Sequence, residues 1–230
     1  MLILFLIRAG SGAVVVRRCS KTHATSPTTE PPLKRSGGSY SGPMSGDEIW
    51  TIGHWVCEQG VFLEALDSAG IGAIADVRAQ PGSRRSPQFS RDAMPEWLGE
   101  AGIEYHHLQD LTGRRRKQPE IPQELNAGWQ NRSFKNYADY TLTDDYEDGI
   151  AQLVEIARRL PTAIMCAEPM PWRCHRTLIA NTLTARGWTV RHLSTTAEPR
   201  LHVLGMWGAH AEVSDDDGVV TYPPIAEDSD

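Results

Sequence analysis

With 230 residues, 40% of them hydrophobic and 23% charged, the chain has room for one ordinary globular domain with tails, and it is too apolar to be a disordered or fibrous protein. Its net charge of −6 argues against a general nucleic-acid binder, and four cysteines are too few and too irregularly spaced for a secreted disulfide scaffold. No stretch approaches the roughly 20 apolar residues of a membrane span, so no membrane role is expected and a reducing, cytoplasmic compartment is.

The charge is unevenly spread. Residues 1–43 carry six Lys/Arg and one acid, whereas from His210 onward there are seven Asp/Glu and no Lys/Arg. The opening MLILFLIRAGSGAVVVRR is a poor secretory signal, because nothing basic precedes its short apolar core and Arg8 interrupts it. Its basic, Ser/Thr-rich character would suit an organellar transit peptide. We expect residues 1–43 to be a disordered extension or a misread start, with Met44 the true one. Residues 44–209 are expected to form the domain, and residues 210–230 a disordered, solvated acidic tail.

In chain order, Ser36–Pro43 is loop chemistry and Ile49–Gly53 reads as a first buried strand. Val61, Phe62, Ala65, Leu66 and Ala69 have helical spacing, stopped by Gly70. Ile71–Val77 is a continuous apolar run, the mark of a strand covered on both faces. After a Pro/Gly/Ser loop over 80–90, helix signals cover 91–100 and end at Gly102, and Ile103–Leu108 is a third strand. Leu111–Ser133 reads as a long polar loop of the kind that builds active sites. Two helices are expected over 134–142 and 144–160, a fourth strand over Thr162–Ala167, a helix over Cys174–Arg186 and a fifth strand over Trp188–Leu193. Strands alternating with helices predict a single α/β domain: a mostly parallel, Rossmann-like sheet of about five strands with helices on both faces.

Four strand ends of that map carry ionisable groups: His54 after the first, Asp76 and Arg78 after the second, His106, His107 and Asp110 after the third, and Cys166 and Glu168 after the fourth. Arg84, Arg85 and Arg114 lie in the loops beyond. In a parallel sheet all these ends share one edge, where such folds hold ligands. Each residue also has a structural explanation: Asp76–Arg78 as an ion pair anchoring a loop, His54 as a strand cap, Cys57 and the tryptophans as packing. The segment IMCAEPMPWRCHRTLIA (164–180) is the richest. Cys174 opens a helix flanked by Arg173, His175 and Arg176, neighbours that favour the reactive thiolate. A thiol-phosphatase loop wants five residues between Cys and Arg, and Cys166 to Arg173 has six. A zinc or iron site would use Cys166, Cys174 and His175 with His54 or His106 as a fourth ligand, but guanidiniums crowd it. An anion pocket with a functional thiol is preferred, with no metal or cofactor required.

The strings WTIGH, ADVRAQPGSRRSPQFS, GIEYHHLQDLTGR, MCAE and CHRTLIA, in this order over about residues 49–193, resemble the bacterial and archaeal proteins grouped as Domain of Unknown Function family 488. The resemblance implies an α/β fold and a shared site at Gly53, His54, Asp76, Arg78, Pro81, Ser83, Arg84, Gly113, Arg114, Cys166, Glu168, Cys174, His175 and Arg176. Family members often have Ser at the position of Trp55 and Gly at that of Thr112. The resemblance implies no activity.

The expected function is therefore an enzyme acting on a small anionic or nucleotide-like ligand. Cys174, or Cys166, would be nucleophile or redox thiol, Glu168 or His175 acid or base, and Asp76 would orient a neighbour. His54, Arg78, Arg84, Arg114 and Arg176 would bind the substrate. The alternatives are a nucleic-acid-associated module and a thiolate metal or redox sensor, and a homo-oligomer is compatible with any of them.

Overall fold

The computed structural model describes residues 47–225 apart from residues 83, 84 and 216. The expectations for residues 1–43, and the proposed substrate contact of Arg84, lie outside the described residues. The chain runs β1 (Glu48–Gly53), α1 (Gln59–Ser68), β2 (Ala73–Asp76), α2 (Met94–Glu100), β3 (Glu104–His107), α3 (Arg132–Tyr140), α4 (Asp144–Arg159), β4 (Thr162–Cys166), α5 (Arg176–Ala185), β5 (Thr189–His192), β6 (Arg200–Leu201), β7 (Glu212–Val213) and β8 (Val220–Thr221).

Apolar patterning explains the layers. All four residues of β2 are buried, as expected of an interior strand covered on both faces. On one face Ile52, Ile74 and Met165 pack with Phe62 and Leu66 of α1 and Trp97 and Leu98 of α2. On the other, Ile49, Ala75 and Ile164 pack with Tyr137, Tyr146, Leu153 and Leu178 of α3, α4 and α5. Helix ends carry their own signals. Asn131 caps α3 by accepting from the amides of Ser133 and Phe134, and Thr143 caps α4. Acids fill the first turn of α4 and arginines its last, matching the helix dipole.

The sheet order is β3-β2-β4-β1-β5-β6, with every pairing parallel except β5–β6. The mostly parallel α/β fold anticipated from the sequence is thus present, with six strands rather than five. β1 and β4 are neighbours, Gly53 opposite Cys166. From β1 the chain leaves through α1 towards β2, and from β4 through α5 towards β5, on the opposite face. A crevice therefore opens between the carboxyl ends of β1 and β4, the switch point at which such sheets hold ligands. Among the described residues, no helix is long and apolar enough to cross a membrane.

The solvated tail expected over residues 210–230 is corrected for its described part, which ends at residue 225. β7 and β8 form a hairpin, and Val220 of β8 and Tyr222 just beyond it are buried. The Tyr222 amide donates to Leu125 O at 3.0 Å, and its hydroxyl accepts from Asn181 Nδ2 at 2.8 Å. Asn181 also binds His202, which binds His192, which binds Thr51 of β1, so a buried polar chain ties the C-terminal segment to the sheet. Burial of an aromatic ring outweighs the cost of holding a charged segment close, while the acids themselves, Glu212, Asp215 and Asp217, stay exposed.

Candidate active site

A cavity of about 610 Å³ occupies the switch-point crevice. Arg78, Arg114, Cys166, Glu168, Cys174 and His175 all line it, so segments from four separate stretches of chain meet around one hollow, whereas His106, His107 and Asp110 at the end of β3 are not among its lining residues.

Its sulfur centre is built by a loop that crosses the end of β1. After β4 the chain passes so close to Gly53 that a Cβ there would lie 2.1 Å from the Glu168 carbonyl oxygen, so only glycine fits. That carbonyl accepts a hydrogen bond from Arg176 Nη2. Arg176 is 1% exposed, and its Nε donates to Cys174 Sγ at 3.4 Å. His175 Nε2–H donates to Val77 O at 3.1 Å, which turns Nδ1 towards Cys174 Sγ, 3.6 Å away. The imidazole also lies against Tyr137, ring centres 4.9 Å apart, and over Gly113, where a Cβ would come within 2.8 Å of Nδ1.

These contacts shift the two thiols in opposite directions. Burial pushes the Cys174 thiol up. The hydrogen bond from Cys166 and the charges of His175 and Arg176 outweigh it and hold Cys174 well below the usual thiol value. Cys166 is pushed up because its proton is shared with Cys174 and because it is buried. These opposed shifts favour the thiolate form at Cys174 and the thiol form at Cys166.

A second cluster lies behind the cavity wall. Asp76, fully buried, accepts from the backbone amide, Nε and Nη2 of Arg78 and from the Tyr105 hydroxyl at 2.6 Å. The remaining Arg78 donors go to Phe89 O, His54 Nε2 and Met94 Sδ. His54 stacks on Phe89 with ring centres 4.3 Å apart. Burial, with the charge of Arg78, pushes its pKa down to about 4, so it is neutral. Its Nε2 accepts from Arg78, which fixes the tautomer in which Nδ1–H donates to Trp55 O at 2.7 Å.

Several expectations are corrected by this geometry. Arg78 does not offer its guanidinium to a substrate, because its donors are taken by the protein, and His54 has both ring nitrogens engaged. Asp76 holds the Arg78 guanidinium through both carboxylate oxygens. Arg176 lies beneath the cysteine rather than in the cavity. These four residues position others. Besides Arg78, the arginines Arg85, Arg114 and Arg173 line the cavity. Arg114 was anticipated; its described hydrogen bond is to Gln80 Oε1 at 3.2 Å. For Arg85 and Arg173 the sequence offers one signal, adjacency to Arg84 and to Cys174. The Glu168 carboxylate lies on the wall, accepting from the Met170 amide at 3.3 Å.

The donor atoms of Cys166, Cys174 and His175 lie within 4.8 Å of one another, close enough to share a metal ion. The fourth ligands considered from the sequence do not join them: His54 is held as above, and His106 binds Glu104 Oε2 at 2.8 Å. The guanidinium of Arg176 against Sγ already supplies the positive charge a cation would bring.

The family model described as Domain of unknown function DUF488 matches residues 59–183, a little over half of the chain. No curated protein and no solved structure matches it.

Proposed function

We propose that this chain, which belongs to the DUF488 family, is a cysteine-dependent enzyme that transfers or hydrolyses a group on a small anionic substrate. One observation carries the reading. Cys174 faces a cavity lined by arginines, with a buried guanidinium, an imidazole and a thiol all turned towards its sulfur. Arg114 and Arg173, with Arg85, hold the substrate's charged group, arginine being suited to bidentate contacts with phosphate or carboxylate.

The Cys174 thiolate attacks the electrophilic carbon or phosphorus and forms a sulfur bond to it. The leaving group departs with its electron pair and takes a proton from His175 Nδ1. The now neutral His175, or Glu168 on the wall, accepts a proton from water. That water attacks the adduct and releases Cys174 as thiolate. Cys166 keeps its proton and stabilises the free thiolate between turnovers.

The test is rapid quenching followed by intact mass measurement against a panel of phosphate monoesters and carboxylated thioesters. A substrate-dependent adduct on Cys174, absent from Cys174→Ser, is expected. Turnover that survives Cys174→Ser would refute the reading.

The proximity of the two sulfurs favours a second reading, a redox thiol pair. Cys174 would attack a hydroperoxide, giving a sulfenic acid and releasing an alcohol. Cys166 would then condense with it, expelling water and leaving a disulfide. Peptide mapping after peroxide treatment, with Cys166→Ser as control, separates the two.

A further inference from the structure

Among the described residues, two that are not glycine adopt a positive φ: Trp55 at 46° and Arg114 at 62°. Both line the cavity. For a bulky side chain this region of backbone space is strained, and such strain persists only where the surroundings over-determine it. They do so at Trp55. Its amide donates to Ala167 O at 3.0 Å, and its carbonyl accepts from His54 Nδ1 at 2.7 Å and from Ser86 Oγ at 3.4 Å. The Cys57 amide closes the turn on His54 O at 3.1 Å. The Asp76–Arg78–His54 clamp therefore ends on the Trp55 carbonyl, and the buried charge pair holds this turn.

What the strain accomplishes is to expose an indole. Trp55 is 56% exposed at the cavity mouth, next to Val56, which is 51% exposed. Its ring makes no aromatic or cation–π contact among the described residues, whereas Trp129 stacks on Phe134 and Trp172 packs against Trp207. Packing does not explain an open aromatic face held at a cost in backbone energy. A planar ligand does. Arg114, the other strained residue, presents a cation to the same space.

We infer that Trp55 is the stacking platform for the base of a nucleotide whose phosphate meets Arg114 and Arg173, so that the ligand of the cavity is a nucleoside phosphate. The volume of about 610 Å³ lies within the range of small-molecule sites. The inference rests on the anion-site reading above and adds to it the planar half of the ligand.

The experiment is calorimetric titration with adenosine monophosphate, guanosine monophosphate and ribose-5-phosphate, the last carrying the same phosphate without a base. The proteins are the full chain and its Trp55→Ala, Trp55→Phe and Arg114→Ala variants. A base stacked on an aromatic ring gives a preference of roughly ten- to hundredfold for the nucleotides over ribose-5-phosphate. Trp55→Ala should erase that preference, Trp55→Phe should keep most of it, and Arg114→Ala should weaken all three ligands together. Equal affinity of the native chain for ribose-5-phosphate and the nucleotides would overturn the inference, as would an unchanged preference in Trp55→Ala. If ribose-5-phosphate binds through Arg114 without any base preference, the platform falls and the anion site stands. If no phosphate binds, both fall.

Discussion

Replacing Asp76 by Asn keeps the shape of a fully buried side chain and removes the charge on which four donors converge. Three of those donors belong to Arg78, itself 5% exposed, and the fourth is the Tyr105 hydroxyl. An amide accepts through one oxygen only, so its NH₂ group is left facing N–H donors, and the Arg78 cation stays buried without its counter-charge. Breaking a buried pair in this way costs about 3–5 kcal/mol. That is a large share of the roughly 5–15 kcal/mol by which domains are stable. With an unfolding slope of about 2 kcal/mol/M, the urea midpoint should fall by about 2 M. Urea unfolding followed by tryptophan fluorescence measures this directly. The double variant Asp76→Asn/Arg78→Met should recover part of the loss, since an apolar replacement removes the orphaned charge along with its partner. A midpoint drop below about 0.5 M for Asp76→Asn, or a double variant as weak as the sum of the two single ones, would refute the clamp.

At Gly113 an added Cβ meets His175 Nδ1 at 2.8 Å, so Gly113→Ala should cost about 1–3 kcal/mol in urea unfolding and slow alkylation of Cys174 by displacing the imidazole; an unchanged alkylation profile would count against a role for His175. Burial holds His54 and His202 down at about 4 and His192 at about 3, so the unfolded chain binds more protons than the folded one as pH falls below 6.5. Their stabilisation is complete above that value and should be lost between pH 6.5 and about 4, or about 3 for His192, at about 2 kcal/mol for each histidine between pH 7 and 5; a urea midpoint that does not change over that interval would contradict their burial as neutral groups.

The strands were legible because interior parallel strands are written as unbroken apolar runs, as in Ile71–Val77, and helix ends because Gly70 and Gly187 stop helices at φ 61° and 83°. The site was legible for a topological reason. Parallel strands deliver their ends to one edge, so His54, Asp76 and Cys166 had to converge. Roles were not legible, because sequence shows that an arginine is present and not whether its donors are already used. Arg78 and Arg176 are engaged by the protein, and Arg173, one residue before Cys174, faces the cavity instead. β6, β7 and β8 were missed because strands of two residues carry no periodicity. The buried Tyr222 was hidden behind a run of acids whose charge dominated the reading of that segment. Trp55 was noted only for differing from the resembling family, since backbone strain leaves no mark in composition or spacing.

The central claim is that Cys174 is a thiolate at neutral pH, held by Arg176 and His175 and steadied by Cys166. The rate of iodoacetamide alkylation of Cys174, followed by peptide mass as a function of pH, tests it most directly. The account predicts a rate already at its plateau at pH 7 and reduced by added phosphate. A rate that climbs through pH 8.5 like that of an ordinary thiol would contradict it.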